Sequence, residues 1–145
     1  MPGWGAGSFE NEDAQSFLGR LGSLGIDDLK QILARAADQD YLEAPESGVA
    51  VAAAELVAAL VAAAKDETAS SATPRQIFDW IRKSEGGLPP DLEELARRAV
   101  EKVRTKSELK DLWLEAEGLN EWSASLRDLE ERLGAWAQLF LSRFV

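Results

Sequence analysis

Apolar residues along this chain recur at intervals of three and four, and stretches that alternate apolar with polar residues are nearly absent. That interval is the helical period, so the pattern predicts an all-α fold. It divides into six or seven helices. Asn11 has the character of an N-cap, with Glu12 and Asp13 in the first turn of a helix that carries Phe17, Leu18 and Leu21 inward. Gly22 and Gly25 are expected to close it. A second helix starts near Asp27 or Asp28 and presents Leu29, Ile32, Leu33 and Ala36.

The third helix begins at Pro45, a residue suited to a first helical position, and runs to about Lys65. It is apolar almost all round, which marks a central, buried helix. Val49, Ala53, Leu56, Val57 and Leu60 give it one bulky side. Ala52, Ala58, Ala59 and Ala62 give it a smooth side, on which Glu55 falls. A polar loop is expected over 66–73, and Thr73 with Pro74 opens a fourth helix with Ile77, Phe78, Trp80 and Ile81 as core candidates, ended by Gly86 and Gly87.

Pro89 and Pro90 open a fifth helix carrying Leu92, Leu95, Ala96, Ala99, Val100 and Val103. Ser107 caps a sixth, whose Leu109, Leu112 and Trp113 turn inward and which Gly118 terminates. The last begins after Asn120. In it, Leu119, Trp122, Leu126, Leu129, Leu133, Trp136 and Phe140 form a heptad-like seam. This seam has two possible partners: the other helices of its own bundle, or a second copy of the chain. The first is the primary expectation; Leu139, Leu141, Phe144 and Val145 lie off the seam and add weight to the alternative, a homodimer through the C-terminal helix. No fixed-period repeat is present, so a solenoid is not expected.

The 145 residues match one domain, 1–145, large enough for a core of its own. The chain has no cysteine and no histidine. Disulfides, thiol nucleophiles, imidazole bases and histidine-ligated zinc are therefore excluded, leaving carboxylates, lysines, hydroxyls and the single Tyr41 for any chemistry. Sixteen basic residues against 26 acidic ones leave a formal net charge of −10, which opposes binding to nucleic acid phosphates and suits either solubility or a basic partner. The N-terminus lacks the basic and apolar regions of a signal peptide. The one apolar stretch, 49–64, is too short and alanine-rich for a membrane span and carries Glu55 at its middle, so a cytoplasmic location is expected.

Three features could carry chemistry. Gly3, Gly5 and Gly7, interleaved with Trp4 and Phe9, lead into the first helix start. Free loop amides before a helix N-terminus can hold an anion, yet no strand precedes this run, no lysine follows it, and Glu10, Glu12 and Asp13 repel phosphate. The run is better suited to lying flat on the core, with Trp4 and Phe9 as plugs. Next, Glu10, Asp13, Glu43 and Glu55 form a carboxylate set. A carboxylate within an apolar helix requires partners, and amides of the Gly5–Gly7 loop, docked on the alanine-smooth face, are the expected donors to Glu55. The alternative use of the set is a Mg²⁺, Ca²⁺ or Mn²⁺ site or an acid/base pair, for which no recognisable spacing exists. Lastly, Tyr41 lies beside Glu43 in a loop between helices, where its phenol could cap a helix end or touch a ligand. The basic cluster Arg97, Arg98, Lys102, Arg104, Lys106 and Lys110 is offset by Glu93, Glu94, Glu101 and Glu108, a solvated face.

The opening GWGAGSFENEDA (3–14) resembles the start of a small bacterial family known as domain of unknown function 4259. So do YLEAPE (41–46), the alanine-rich AAAELVAAL (52–60), SELKDLW (107–113), and Trp122 with Leu126, Leu129, Glu130, Arg132 and Leu133. The resemblance spans nearly the whole chain and implies no established activity. The candidate functional surface is Trp4, Phe9, Glu10, Asn11, Asp13, Tyr41, Glu43 and Glu55, with no catalytic, cofactor or metal residue assigned. The expected role is that of a small, acidic, non-enzymatic protein, an inhibitor or immunity-like partner of a basic protein. A carboxylate-based metal-binding or hydrolytic module is the alternative.

Overall fold

The computed structural model describes residues 7–64, 75–83, 88–89 and 91–143, with backbone alone at 64 and 135–143. Among these residues there are seven α-helices: α1 (Glu12–Leu18), α2 (Ile26–Asp38), α3 (Ala44–Ala64), α4 (Arg75–Lys83), α5 (Leu92–Thr105), α6 (Glu108–Glu115) and α7 (Leu119–Arg143). A 3₁₀ turn, Leu21–Ser23, links α1 to α2. The all-α bundle expected from the apolar spacing is present.

The apolar character of α3 places it at the centre, where it packs against α1, α2, α4, α5, α6 and α7. Residues 50 to 61 are all buried, including every alanine of the smooth side except the half-buried Ala62. Helix α3 has 21 residues, about 31 Å. Its window from Ala44 to Ala63 is long and apolar enough to cross a membrane, which corrects the expectation that it is too short, but 78% of that window is buried against the rest of the protein. Helix α5 forms the second hub, packing on α2, α3, α6 and α7 through Leu92, Ala96, Ala99, Val100 and Val103, all fully buried.

Several boundaries differ from the sequence expectation. Helix α1 ends at Leu18, with Gly19 rather than Gly22 as its C-cap, because Gly19 and Arg20 already turn back through their amides onto the last carbonyls of the helix. Leu21 is buried as expected, but from the 3₁₀ turn. Helix α2 starts at Ile26, earlier than Asp27, since the Asp28 carboxylate accepts the Gly25 amide at 2.8 Å. Helix α5 starts at Leu92 rather than at the prolines, with Asp91 at its cap and the Pro89 carbonyl accepting from Leu92. Helix α7 starts at Leu119, one turn ahead of the Trp122 amide that bonds Gly118. Thr73, Pro74, Gly86, Gly87, Pro90 and the 66–73 loop lie outside the described residues.

Phe78 is a correction of burial. Ile77 and Trp80 are buried and Ile81 half-buried, but Phe78 is 41% exposed. On a helix, residues 77, 80 and 81 share one face, and Phe78 lies nearly opposite Trp80. In α7 the seam is real as far as it is described: Trp122, Leu126, Leu129 and Leu133 are buried against the chain's own helices, α5 above all. The side chains of Trp136, Leu139, Phe140 and Leu141, and all of Phe144 and Val145, lie outside the described residues.

Helix α6 ends in a Schellman motif. The Gly118 amide donates to the Trp113 carbonyl at 3.0 Å and the Glu117 amide to that of Leu114 at 3.2 Å. The left-handed residue is Glu117, with φ of 60°, not the glycine the sequence offers next to it. Gly118 serves a different need: a Cβ there would come within 2.7 Å of the Trp113 ring.

Candidate functional site

The buried end of the candidate surface is built around Glu55. Its apolar helix encloses it, leaving the residue 8% exposed, and a carboxylate in such surroundings requires donors. They come from two distant segments. The Arg132 guanidinium on α7 donates from Nη1 to Oε2 at 2.9 Å and from Nη2 to Oε1 at 2.7 Å, a bidentate pair. The Ser8 hydroxyl adds a bond to Oε1 at 2.9 Å. Arg132 is itself steadied by Asp128 at 3.0 Å, and its pKa is raised above the ordinary value, chiefly by the hydrogen bonds to Glu55. The N-terminal loop does dock beside Glu55, through the Ser8 hydroxyl; of the loop amides expected there, those of Gly5 and Ala6 lie outside the described residues. The Gly7 amide is committed instead to Glu10 Oε1 at 3.2 Å. Gly3, Gly5 and Trp4, including its expected role as a plug, lie outside the described residues.

Beyond Ser8, the loop follows the surface into α1. Phe9 is half-buried and packs against the core, and its carbonyl accepts from Gln15 Nε2 at 2.6 Å. Asn11 Oδ1 accepts the Ala14 amide at 2.8 Å, the predicted N-cap. This cap rests directly on α3 at Gly48, where a Cβ would meet Asn11 Oδ1 at 2.9 Å and the Asp13 Cβ at 3.1 Å. The close approach that the alanine face suggested is thus made at a glycine near the start of α3, one that sequence reasoning passed over.

Tyr41 and Glu43 belong to a separate place. Leu42 pairs with Ser107 as an isolated parallel bridge: the Leu42 amide donates to Lys106 O at 3.1 Å, and the Glu108 amide to Leu42 O at 2.8 Å. The Glu108 carboxylate then accepts the Ala44 amide at 2.8 Å, satisfying one of the unpaired donors at the start of α3. The Tyr41 phenol donates to Asp111 at 2.6 Å, and that bond, more than any other cause, pushes its pKa up to about 12. Residues 41–44 thereby clasp the starts of α3 and α6 to each other. The Glu43 side chain is exposed, while its carbonyl accepts from the Ser47 amide and hydroxyl.

The four carboxylates of the candidate set are therefore dispersed: Glu55 in the core pair, Glu10 in a loop turn, Asp13 over Gly48 and Glu43 at the clasp. No three acidic side chains among the described residues are grouped so as to hold a metal ion. Sequence reasoning missed the roles of Arg132 and of a second bridging pair, in which Arg104 of α5 holds both oxygens of Glu130 of α7 at 2.7 and 3.2 Å. Both Glu130 and Arg132 stand in the quoted motif of the last helix. The need of Glu55 for donors was the signal present in the sequence, and it does not single out Arg132, 77 residues away.

An all-α bundle whose apolar central helix carries a buried carboxylate paired with an arginine of the last helix is the class of molecule these residues define. Within it, the model of the family described as Domain of unknown function (DUF4259) matches residues 3–125, and the chain belongs to that family. No curated protein and no solved structure matches it.

Proposed function

We propose that this protein acts by binding another protein, and that the partner is basic. The observation that carries this reading is the state of Glu55. Its three hydrogen bonds, two from Arg132 and one from Ser8, use both oxygens for structure, so the surplus of negative charge available to a partner lies on the surface. The net charge of −10 and the lack of cysteine and histidine point the same way. A surface of this sign favours fast, salt-sensitive association with a cationic partner, as an inhibitor or immunity-like protein requires. The covering of α3 by the other helices supports a soluble, cytoplasmic protein. The continuation of α7 to Arg143, with Trp136 and Phe140 at seam spacing in the sequence, supports assembly into a homodimer through that helix.

Affinity capture from the native host tests the first reading. A basic protein retained at low salt and released as ionic strength rises supports it. Recovery of nothing above a bait-free control at low salt overturns it. Sedimentation of the full chain beside a form ending at Gly134 tests the dimer, which requires the longer form alone to be dimeric.

A further inference from the structure

Resting on the reading of the protein as a binder of basic proteins, the geometry points to one surface for that contact: we propose that the groove between the 3₁₀ turn, the start of α2 and α4 seats a cationic, amphipathic segment of the partner. The groove has a volume of about 870 Å3. Its floor is apolar, made by Leu21, Leu24, Ile26 and Trp80, and the Trp80 indole is held in place by donating from Nε1 to the Leu24 carbonyl at 2.8 Å. Gly22 and Gly25 line it too, leaving the backbone open to an approaching chain.

The rim selects the occupant. Asp27 and Asp28 stand on one wall and Asp79 on the other, against Lys83 as the lining cation. Asp28 is engaged with the Gly25 amide and Asp79 with Arg82, but Asp27 is exposed and makes no ion pair among the described residues. Carboxylates on both walls above an apolar floor complement lysine or arginine flanking a leucine-sized side chain. A second hollow of about 620 Å3 shares Leu24 and Asp28 with the first and continues along α2 over Ile32 and Val49. The shared lining joins the two hollows side by side, and the second, lined by Ile32, Ala36, Pro45 and Val49, takes the apolar end of the segment.

Proton–nitrogen spectra of the full-length protein titrated with a synthetic amphipathic helix of lysine and leucine test this, beside a glutamate–leucine peptide of the same pattern. The expected result is saturable shifts at residues 21–28, 76–83 and the Trp80 indole with the cationic peptide and none with the anionic one. The D27K/D79K double variant should bind at least tenfold more weakly, while E115K/E131K, which alters the net charge equally at exposed positions that line neither hollow, stays within twofold. Equal losses in both variants, shifts centred elsewhere, or no binding overturn the groove. Should capture from the host still recover a basic partner, the function stands and the site falls; should capture fail while the peptide binds as expected, the site stands and the proposed partner class falls.

Discussion

Arg132 on α7 meets both carboxylate oxygens of Glu55 on α3, so the most buried acid among the described residues ties the central helix to α7, the longest of those described. The Arg132 side chain is 34% exposed and that of Glu55 9%, so the cost of separating them is unequal. Removing Arg132 strands an enclosed charge, whereas removing Glu55 frees a cation that reaches water.

Arg132→Ala is expected to lower unfolding free energy by about 2 kcal/mol, less than the roughly 3–5 kcal/mol typical of a fully enclosed pair, because water reaches the arginine. A double replacement, Glu55→Leu with Arg132→Leu, is expected to recover most of the loss, since the site is otherwise apolar. Urea denaturation of the two variants and the parent decides. A double variant less stable than Arg132→Ala would show that the pair stabilises the fold beyond neutralising Glu55.

The helices were legible in the sequence because each is amphipathic at a period of 3.6, and α3 because it is not. Glu55 was legible as an acid needing partners, but not which partners, since Ser8 and Arg132 lie 47 and 77 residues away and no local rule links such distances. Phe78 is as apolar as its neighbours, but its angular position on α4 turns it away from the face of Ile77 and Trp80, which hydrophobicity alone does not reveal. The terminator of α6 was misplaced because glycine is favoured in the left-handed region, and the tight packing of Trp113 had already claimed Gly118. Tyr41 resisted interpretation for a related reason: its partner Asp111, like the backbone partners of Leu42, sits on the far segment 106–111, whereas Glu43 bonds locally through its carbonyl to Ser47.

Gly48→Ala tests the seat of the N-terminal loop. A methyl group at 2.9 Å from Asn11 Oδ1 would push the cap off the Ala14 amide. Better helix propensity for alanine, worth about 1 kcal/mol, works in the other direction. Overpacking of about 1–3 kcal/mol should outweigh it, giving net destabilisation and faster amide exchange in residues 12–18. A more stable variant would show that α1 can shift without loss.

The end of α6 separates two effects normally merged in one glycine. Gly118→Ala should destabilise by about 1–3 kcal/mol, since the methyl would press into the Trp113 ring. Glu117→Gly should be neutral or stabilising by up to about 1 kcal/mol, because the left-handed conformation costs a glutamate and not a glycine, offset by the greater freedom of glycine when unfolded. Thermal unfolding of both variants checks the contrast, and a destabilised Glu117→Gly would assign the glutamate side chain a role of its own.

Tyr41 gives the clasp a pH signature. It is the sole tyrosine, so phenolate absorbance reports this one group. Donation to Asp111, with further repulsion from Asp111 and Glu108, raises its pKa from 10.0 to about 12. A folded-state pKa above the unfolded one means that the bond contributes stability below pH 10 and loses it as pH climbs through 12. Native protein should therefore ionise near pH 12, and Asp111→Ala should bring the midpoint down toward the ordinary value while circular dichroism shows the helices intact. Stability of the parent should fall across that alkaline window more steeply than that of Tyr41→Phe, which lacks the titrating group. A native midpoint at the ordinary value would place the phenol in water and release the clasp between residues 41–44 and 106–111 from any dependence on it.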